Sequence, residues 1–144
     1  MSENSDLISL YSKQILRLAA SIPHAGRLEN PAGSAKKRAP LCGSTVTVDL
    51  VLNDGKISEF GQNVRACALG QASASVLGAV VLGQDRAGIQ TARDALQAML
   101  TSDGPTPPAP FEGFEVLRPA REFKNRHASI LLALDATLDA FDSL

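Results

Sequence analysis

The sequence carries little that would hold a nucleic acid or a charged membrane. Its 14 Lys and Arg are offset by 15 Asp and Glu, leaving a net charge of -1, so the basic footprint that phosphate backbones and anionic lipids select is missing. No apolar run approaches the length needed to cross a bilayer. The first residues carry Glu3 and Asp6 where a secretory leader would have a basic region. The expectation is a cytoplasmic protein with neither membrane nor nucleic acid as partner.

Chemistry-bearing residues are also scarce. Cysteine occurs 2 times and histidine 2 times. No glycine-rich phosphate loop, no Ser-His-Asp set and no pair of catalytic carboxylates stands out, so a small-molecule enzyme is not expected. Asp135, Asp139 and Asp142 recur at helical spacing and read as a solvated face. Two cysteines in a reducing compartment point to metal or redox chemistry more than to a structural disulfide.

What remains is ordinary globular material. The 144 residues, 44% hydrophobic and 20% charged, suffice for one domain spanning 1–144 with its own core. From Asp6 to Ile22 the residues Leu7, Tyr11, Ile15, Leu18 and Ile22 recur at steps of three and four. This predicts an amphipathic helix capped by Asn4 or Ser5 and ended by Pro23. Residues 23–40 show neither period and read as a long irregular connector, with Lys36-Lys37-Arg38 as a solvated run. Val46, Val48, Leu50 and Leu52 then alternate with Thr45, Thr47 and Asp49. Asn53-Asp54-Gly55 makes a turn, and Lys56 to Val64 returns as a second strand, giving an antiparallel hairpin with one buried face.

Cys42 lies just before that hairpin and Cys67 just after it, so the topology brings the two thiols to one end of the sheet. Cys67 opens Ala68-Leu-Gly-Gln-Ala-Ser-Ala-Ser75, a helix of small residues expected to run to Leu82 and to lie tightly on the sheet. A thiol at that N-terminus meets unpaired N–H groups and aligned dipoles that suit a nucleophile or metal ligand. A small buried hydrophobe is the plainer reading of the same residue. A further helix is expected from Arg86 to Thr101. A proline cluster follows, with Phe111, Phe114, Val116 and Leu117 in a short helix or docked loop. The last helix runs from Asn125 to Phe141. His127 begins its core-facing stripe, either as a hydrogen-bonded core residue or as a ligand.

Asn30-Pro31, Ala39-Pro40-Leu41-Cys42-Gly43, the hairpin and the segment Cys67–Ser75 together resemble the U-type iron–sulfur cluster assembly scaffolds. The resemblance covers nearly the whole chain and is weakest over 84–120. It implies an α+β fold: a small antiparallel sheet packed on one side by helices, with a metal site at one end. Family members use three cysteines and an aspartate. By that resemblance Cys42 and Cys67 are metal ligands and sulfur acceptors, Ser44 stands at the aspartate position as a weak ligand, and His127 stands at the third cysteine. Arg65, Lys124 and Arg126 would supply supporting charge. The proline-rich insertion is similar to the sulfur-mobilisation subgroup.

The implied function is a non-enzymatic scaffold. It would take sulfur from a cysteine desulfurase, hold iron or a transient [2Fe–2S] cluster through Cys42, Cys67 and His127, and pass it to apoproteins or carriers. Two other readings stand beside it: a zinc-binding adaptor of a desulfurase, and a degenerate member acting as a protein-interaction module.

Overall fold

A computed structural model describes residues 12–40 and 42–144. The first helix, α1, spans Lys13–Ala20, with Ser12 as its cap, the Ser12 hydroxyl accepting from the Ile15 N–H at 3.3 Å. Leu7, Tyr11 and the caps expected at Asn4 or Ser5 lie outside the described residues. Ile15 carries the buried side of the helix, at 1% exposure.

Three strands follow: β1 (Gly33–Arg38), β2 (Thr45–Asn53) and β3 (Lys56–Arg65). They form one antiparallel sheet in the order β1-β2-β3. The hairpin is the expected one. Asp54 and Gly55 both take positive φ, 56° and 77°, the conformation a two-residue turn between twisted strands requires. A bulge at Val51/Leu52 shifts the register so that Leu52 faces Ile57. Val46, Val48 and Leu50 share one face with their partners Val64, Gln62 and Phe60.

β1 is a correction to the irregular connector. Gly33-Ser-Ala-Lys-Lys-Arg38 has no apolar alternation of its own, yet it pairs along β2 from Gly33↔Leu50 to Arg38↔Thr45. It is an edge strand, where lysines discourage further pairing. Lys37 is not merely solvated: its Nζ reaches Asp139 at 3.1 Å. The outer edge of β3 is closed by loops. Gln62 exchanges backbone bonds with His24 O and Gly26 N, and Ile57 does so with Gln84 O and Gly83 N.

Helix α2 (Ala68–Val80) follows Cys67, and α3 (Arg86–Ser102) begins at Asp85, whose carboxylate accepts from Gly88 N–H at 2.8 Å. After the prolines, residues Glu112–Glu122 form a 3₁₀ helix. Phe111, Phe114, Leu117 and Ala120 are all buried; their spacing of three matches that helix's three residues per turn. A 3₁₀ turn at Lys124–Arg126 leads into α4 (His127–Asp142).

α4 is the centre of the molecule. It packs on β1 and β2 and also against α2 and α3. Besides the stripe of Ile130, Leu131, Leu134, Leu138 and Phe141, it buries Ser129, Ala133, Ala136 and Ala140. That second stripe of small residues lets the helix approach its neighbours closely. A Cβ on Gly33 would collide with Ala140 O, and one on Gly70 would stand 2.6 Å from Ser129 Oγ. α2 therefore sits mainly between α1 and α4, not flat on the sheet. Its hydroxyls are spent on neighbouring carbonyls: Ser73 Oγ donates to Ile130 O at 2.5 Å and Ser75 Oγ to Ser21 O at 3.4 Å.

One polar residue of the sheet's other face is fully buried. Asp49 is covered by the 24–32 loop, accepting from Arg27 Nε at 2.6 Å, Arg27 Nη2 at 3.1 Å, Leu28 N at 3.1 Å and Ser34 Oγ at 2.6 Å. No helix among the described residues is long and apolar enough to cross a membrane.

Candidate cysteine site

Thr45↔Arg65 is the last pair of the β2–β3 ladder. Cys42 lies just before that pair and Cys67 just after it, so both leave the sheet at the same end. Cys42 stands exposed in the turn between β1 and β2. The turn is held by Ala39 N–H donating to Ser44 O at 2.8 Å and Gly43 N–H to Ala39 O at 3.0 Å. Gly43 has φ of 72°, a left-handed conformation that glycine adopts without strain. Cys67 is half-buried and is the N-cap residue of α2, in extended conformation with φ -65° and ψ 169°.

Two serines join the thiols. Cys42 Sγ lies 3.1 Å from Ser44 Oγ, Ser129 Oγ donates to Ser44 Oγ at 3.2 Å, and Cys67 Sγ lies 3.5 Å from Ser129 Oγ. Both hydroxyls are buried, at 5% and 2% exposure. The Ser44 hydroxyl is the main reason the Cys42 thiol is held below its ordinary range; partial burial opposes it, and the Ser44 N–H and Ser129 hydroxyl add to the lowering. A sulfur that accepts such bonds is better stabilised as the thiolate, the form that attacks sulfur and binds metal.

His127 does not join this group. Its Nε2–H donates to Ala120 O at 3.0 Å. The residue of α4 that meets Cys67 is Ser129, two positions later, which on an α-helix lies about 200° further round. One face of the first turn is directed at the thiols, and it carries Ser129. Among the described residues no three His, Cys, Asp or Glu side chains are gathered to hold a metal ion. Among the described residues Cys42, Cys67 and His127 are thus not gathered as one ligand set, whereas Ser44 lies against Cys42. Two thiols and two hydroxyls also fall short of the four nitrogen and sulfur donors of a structural zinc site.

The supporting charges are arranged differently from expectation. Arg65 is exposed at the end of β3, Lys124 is exposed and Arg126 half-buried in the 3₁₀ turn. What lowers Cys42 is hydrogen bonding, with no cation among its causes. The cation at the turn is Arg38, whose Nη2 would be 3.6 Å from a Cβ on Gly43. Ser129 is the site residue that sequence reasoning missed. Its signal was the stripe Ser129, Ala133, Ala136 and Ala140, a second small-residue face on a helix already carrying a hydrophobic one.

Residues 10–111 match the family model of the NifU-like N terminal domain. Among solved structures the chain is similar to a nitrogen-fixing NifU-like protein (N-terminal) from Brucella abortus, with 40% identity over 96% of each chain and a TM-score of 0.92. It shares its fold with a candidate iron–sulfur cluster assembly scaffold protein for the SUF system from the thermophile Fervidobacterium islandicum. That likeness has 19% identity and a TM-score of 0.80, covering 92% of this chain and 97% of that one. No curated protein matches the chain at a significant level.

Proposed function

The chain belongs to the NifU-like N terminal domain family, and we propose that it acts as a scaffold in iron–sulfur cluster assembly. In this reading Cys42 accepts sulfane sulfur from a cysteine desulfurase. Cys42 and Cys67 then hold iron or a nascent [2Fe–2S] unit as cargo, and apoproteins or carrier proteins take it away. The observation that carries the reading is the hydrogen-bonded line from Cys42 through Ser44 and Ser129 to Cys67.

Each part of the line has a chemical task. Exposure lets Cys42 meet a donor persulfide, and the hydroxyl at its sulfur favours the attacking thiolate. Cys67, half-buried, is the second thiolate donor. Two thiolates leave iron coordination positions open to sulfide or to an acceptor's ligand. Such a set suits cargo that must leave, in contrast to the four-cysteine set of a resident cluster. Because metal binds deprotonated thiols, loading should release protons and weaken as pH falls.

Anaerobic reconstitution with ferrous iron, a desulfurase and cysteine tests the proposal. The expected result is visible cluster absorbance that both Cys42→Ala and Cys67→Ala abolish. If neither cluster absorbance nor a persulfide forms on the wild-type chain, the scaffold reading fails. If partner binding then survives both substitutions, the chain is an interaction module.

A further inference from the structure

We propose that Cys42 and Cys67 form a dithiol that reduces the sulfur it accepts, releasing sulfide and closing an internal disulfide. This rests on the reading of Cys42 as sulfur acceptor and goes beyond it, because the cluster's bridging atoms are sulfide whereas a desulfurase delivers sulfane sulfur. Two electrons must come from somewhere, and the second thiol is at hand.

The direction of the hydrogen-bonded line supports this division of labour. Each serine hydroxyl has a single hydrogen. Ser129 directs its hydrogen to the Cys42 side, at Ser44 and toward the Cys42 sulfur, so it can meet Cys67 only as acceptor, and Ser44 keeps its own hydrogen to give to the Cys42 thiolate. With Cys42 as the attacking thiolate, the line therefore runs from the Cys67 S–H through two buried hydroxyls to the Cys42 sulfur. Cys42 is the accepting end and exposed; Cys67 is the donating end and sheltered at the start of α2.

The chemistry balances in two steps. The Cys42 thiolate attacks the outer sulfur of a donor persulfide; the donor thiolate leaves and Cys42 carries the persulfide. Cys67 then attacks the Cys42 Sγ. A Cys42–Cys67 bond forms, the bond to the outer sulfur breaks, and that sulfur departs with the electron pair as hydrosulfide. Before the serines are displaced, the Cys67 proton passes along Ser129 and Ser44 to the Cys42 persulfide, so that the outer sulfur leaves as hydrosulfide. Two thiols are oxidised to one disulfide, and the sulfane sulfur is reduced to sulfide. A dithiol reductant resets the pair before the thiols take up iron. Closing the bond requires the turn around Cys42 to move over Cys67 and displace the serines. Cys42 is exposed and its neighbour Gly43 is free of a side chain that would restrict the backbone, so the turn is the part that moves.

The test gives the full-length protein one equivalent of glutathione persulfide under anaerobic conditions, with free sulfide and intact mass followed together. The wild type should release stoichiometric sulfide and end two hydrogens lighter, with Cys42 and Cys67 joined in one peptide pair. Cys67→Ser should remain one sulfur heavier on Cys42. A neighbouring thiol acts at mM effective concentration, so at µM protein the wild type should release sulfide roughly a thousand-fold faster than Cys67→Ser. Ser129→Ala removes one donor from the Cys42 side but the sole acceptor at Cys67, so it should slow release far more than loading, a split that general loosening of the fold would not produce. A stable persulfide on wild-type Cys42, equal release from Cys67→Ser, or a disulfide between two copies overturns the inference while leaving the acceptor reading intact. Sulfur on neither cysteine removes both.

Discussion

Gly70→Ala is the perturbation whose sign depends most on how the site is built. In an ordinary helix interior, glycine to alanine stabilises by about 1 kcal/mol. At Gly70 the new Cβ would stand 2.6 Å from Ser129 Oγ, 2.9 Å from Ala66 Cβ and 3.2 Å from Ser129 O. The hydroxyl can rotate away, but the Ala66 methyl and the α4 backbone cannot. Overpacking of this kind costs about 1–3 kcal/mol, and expelling the hydroxyl forfeits hydrogen bonds worth about 1 kcal/mol. The net is a destabilisation of about 1–3 kcal/mol, a fall in Tm of about 3–9 °C at this chain length. Gly88→Ala in α3 is the matched control. Its Cβ would meet chiefly the end of the Gln84 side chain, at 2.7 Å, which can swing aside, so it should gain about 0.5 kcal/mol. Thermal melts of the two variants, followed by iron and sulfide reconstitution of each, check the reasoning. Opposite signs in Tm, with reconstitution impaired only in Gly70→Ala, are expected. Equal stabilisation of both would refute the close packing of α2 on Ser129.

Asp49→Asn should cost about 2–3 kcal/mol at pH 7, because Arg27, Ser34 and Leu28 all donate to a fully buried carboxylate. Burial alone would raise that carboxyl, but these bonds outweigh it and hold it below the ordinary range. A depressed folded value gives stability that is present above about pH 4 and lost as the pH falls through the lower, folded value. Urea melts should therefore show the gap between wild type and variant shrinking below pH 4; a gap independent of pH contradicts the pairing. His127→Ala should leave sulfur loading of Cys42 unchanged while losing about 1 kcal/mol of stability with the Ala120 bond. Loss of loading without loss of stability would return His127 to the site.

The parts of the fold legible in the sequence were those with a strong local period. Asn53-Asp54-Gly55 between alternating valines and leucines announced the hairpin, and with it the meeting of Cys42 and Cys67 at one end of the sheet. β1 was not legible, because Gly33–Arg38 owes its conformation to the partner strand β2 and not to its own side chains. The buried run Phe111, Phe114, Leu117 and Ala120 repeats every three residues, a period that fits neither an α-helix nor a strand. Asp49 looked solvent-facing by alternation; a distant loop carrying Arg27 reversed that. At the site, the family resemblance put His127 of α4 at the thiols, whereas the α4 side chain that meets Cys67 is Ser129. A shift of two residues turns the helix by more than half a revolution, which is the distance between His127 and Ser129.

The claim on which everything else depends is that Cys42 and Cys67 act as one pair. Titration with phenylarsine oxide, which captures two neighbouring thiols at a single arsenic, tests it most directly. One equivalent should consume both thiols of the folded protein, and either Cys42→Ala or Cys67→Ala should abolish tight capture. Capture that survives either substitution, or that consumes one thiol per arsenic, would contradict it.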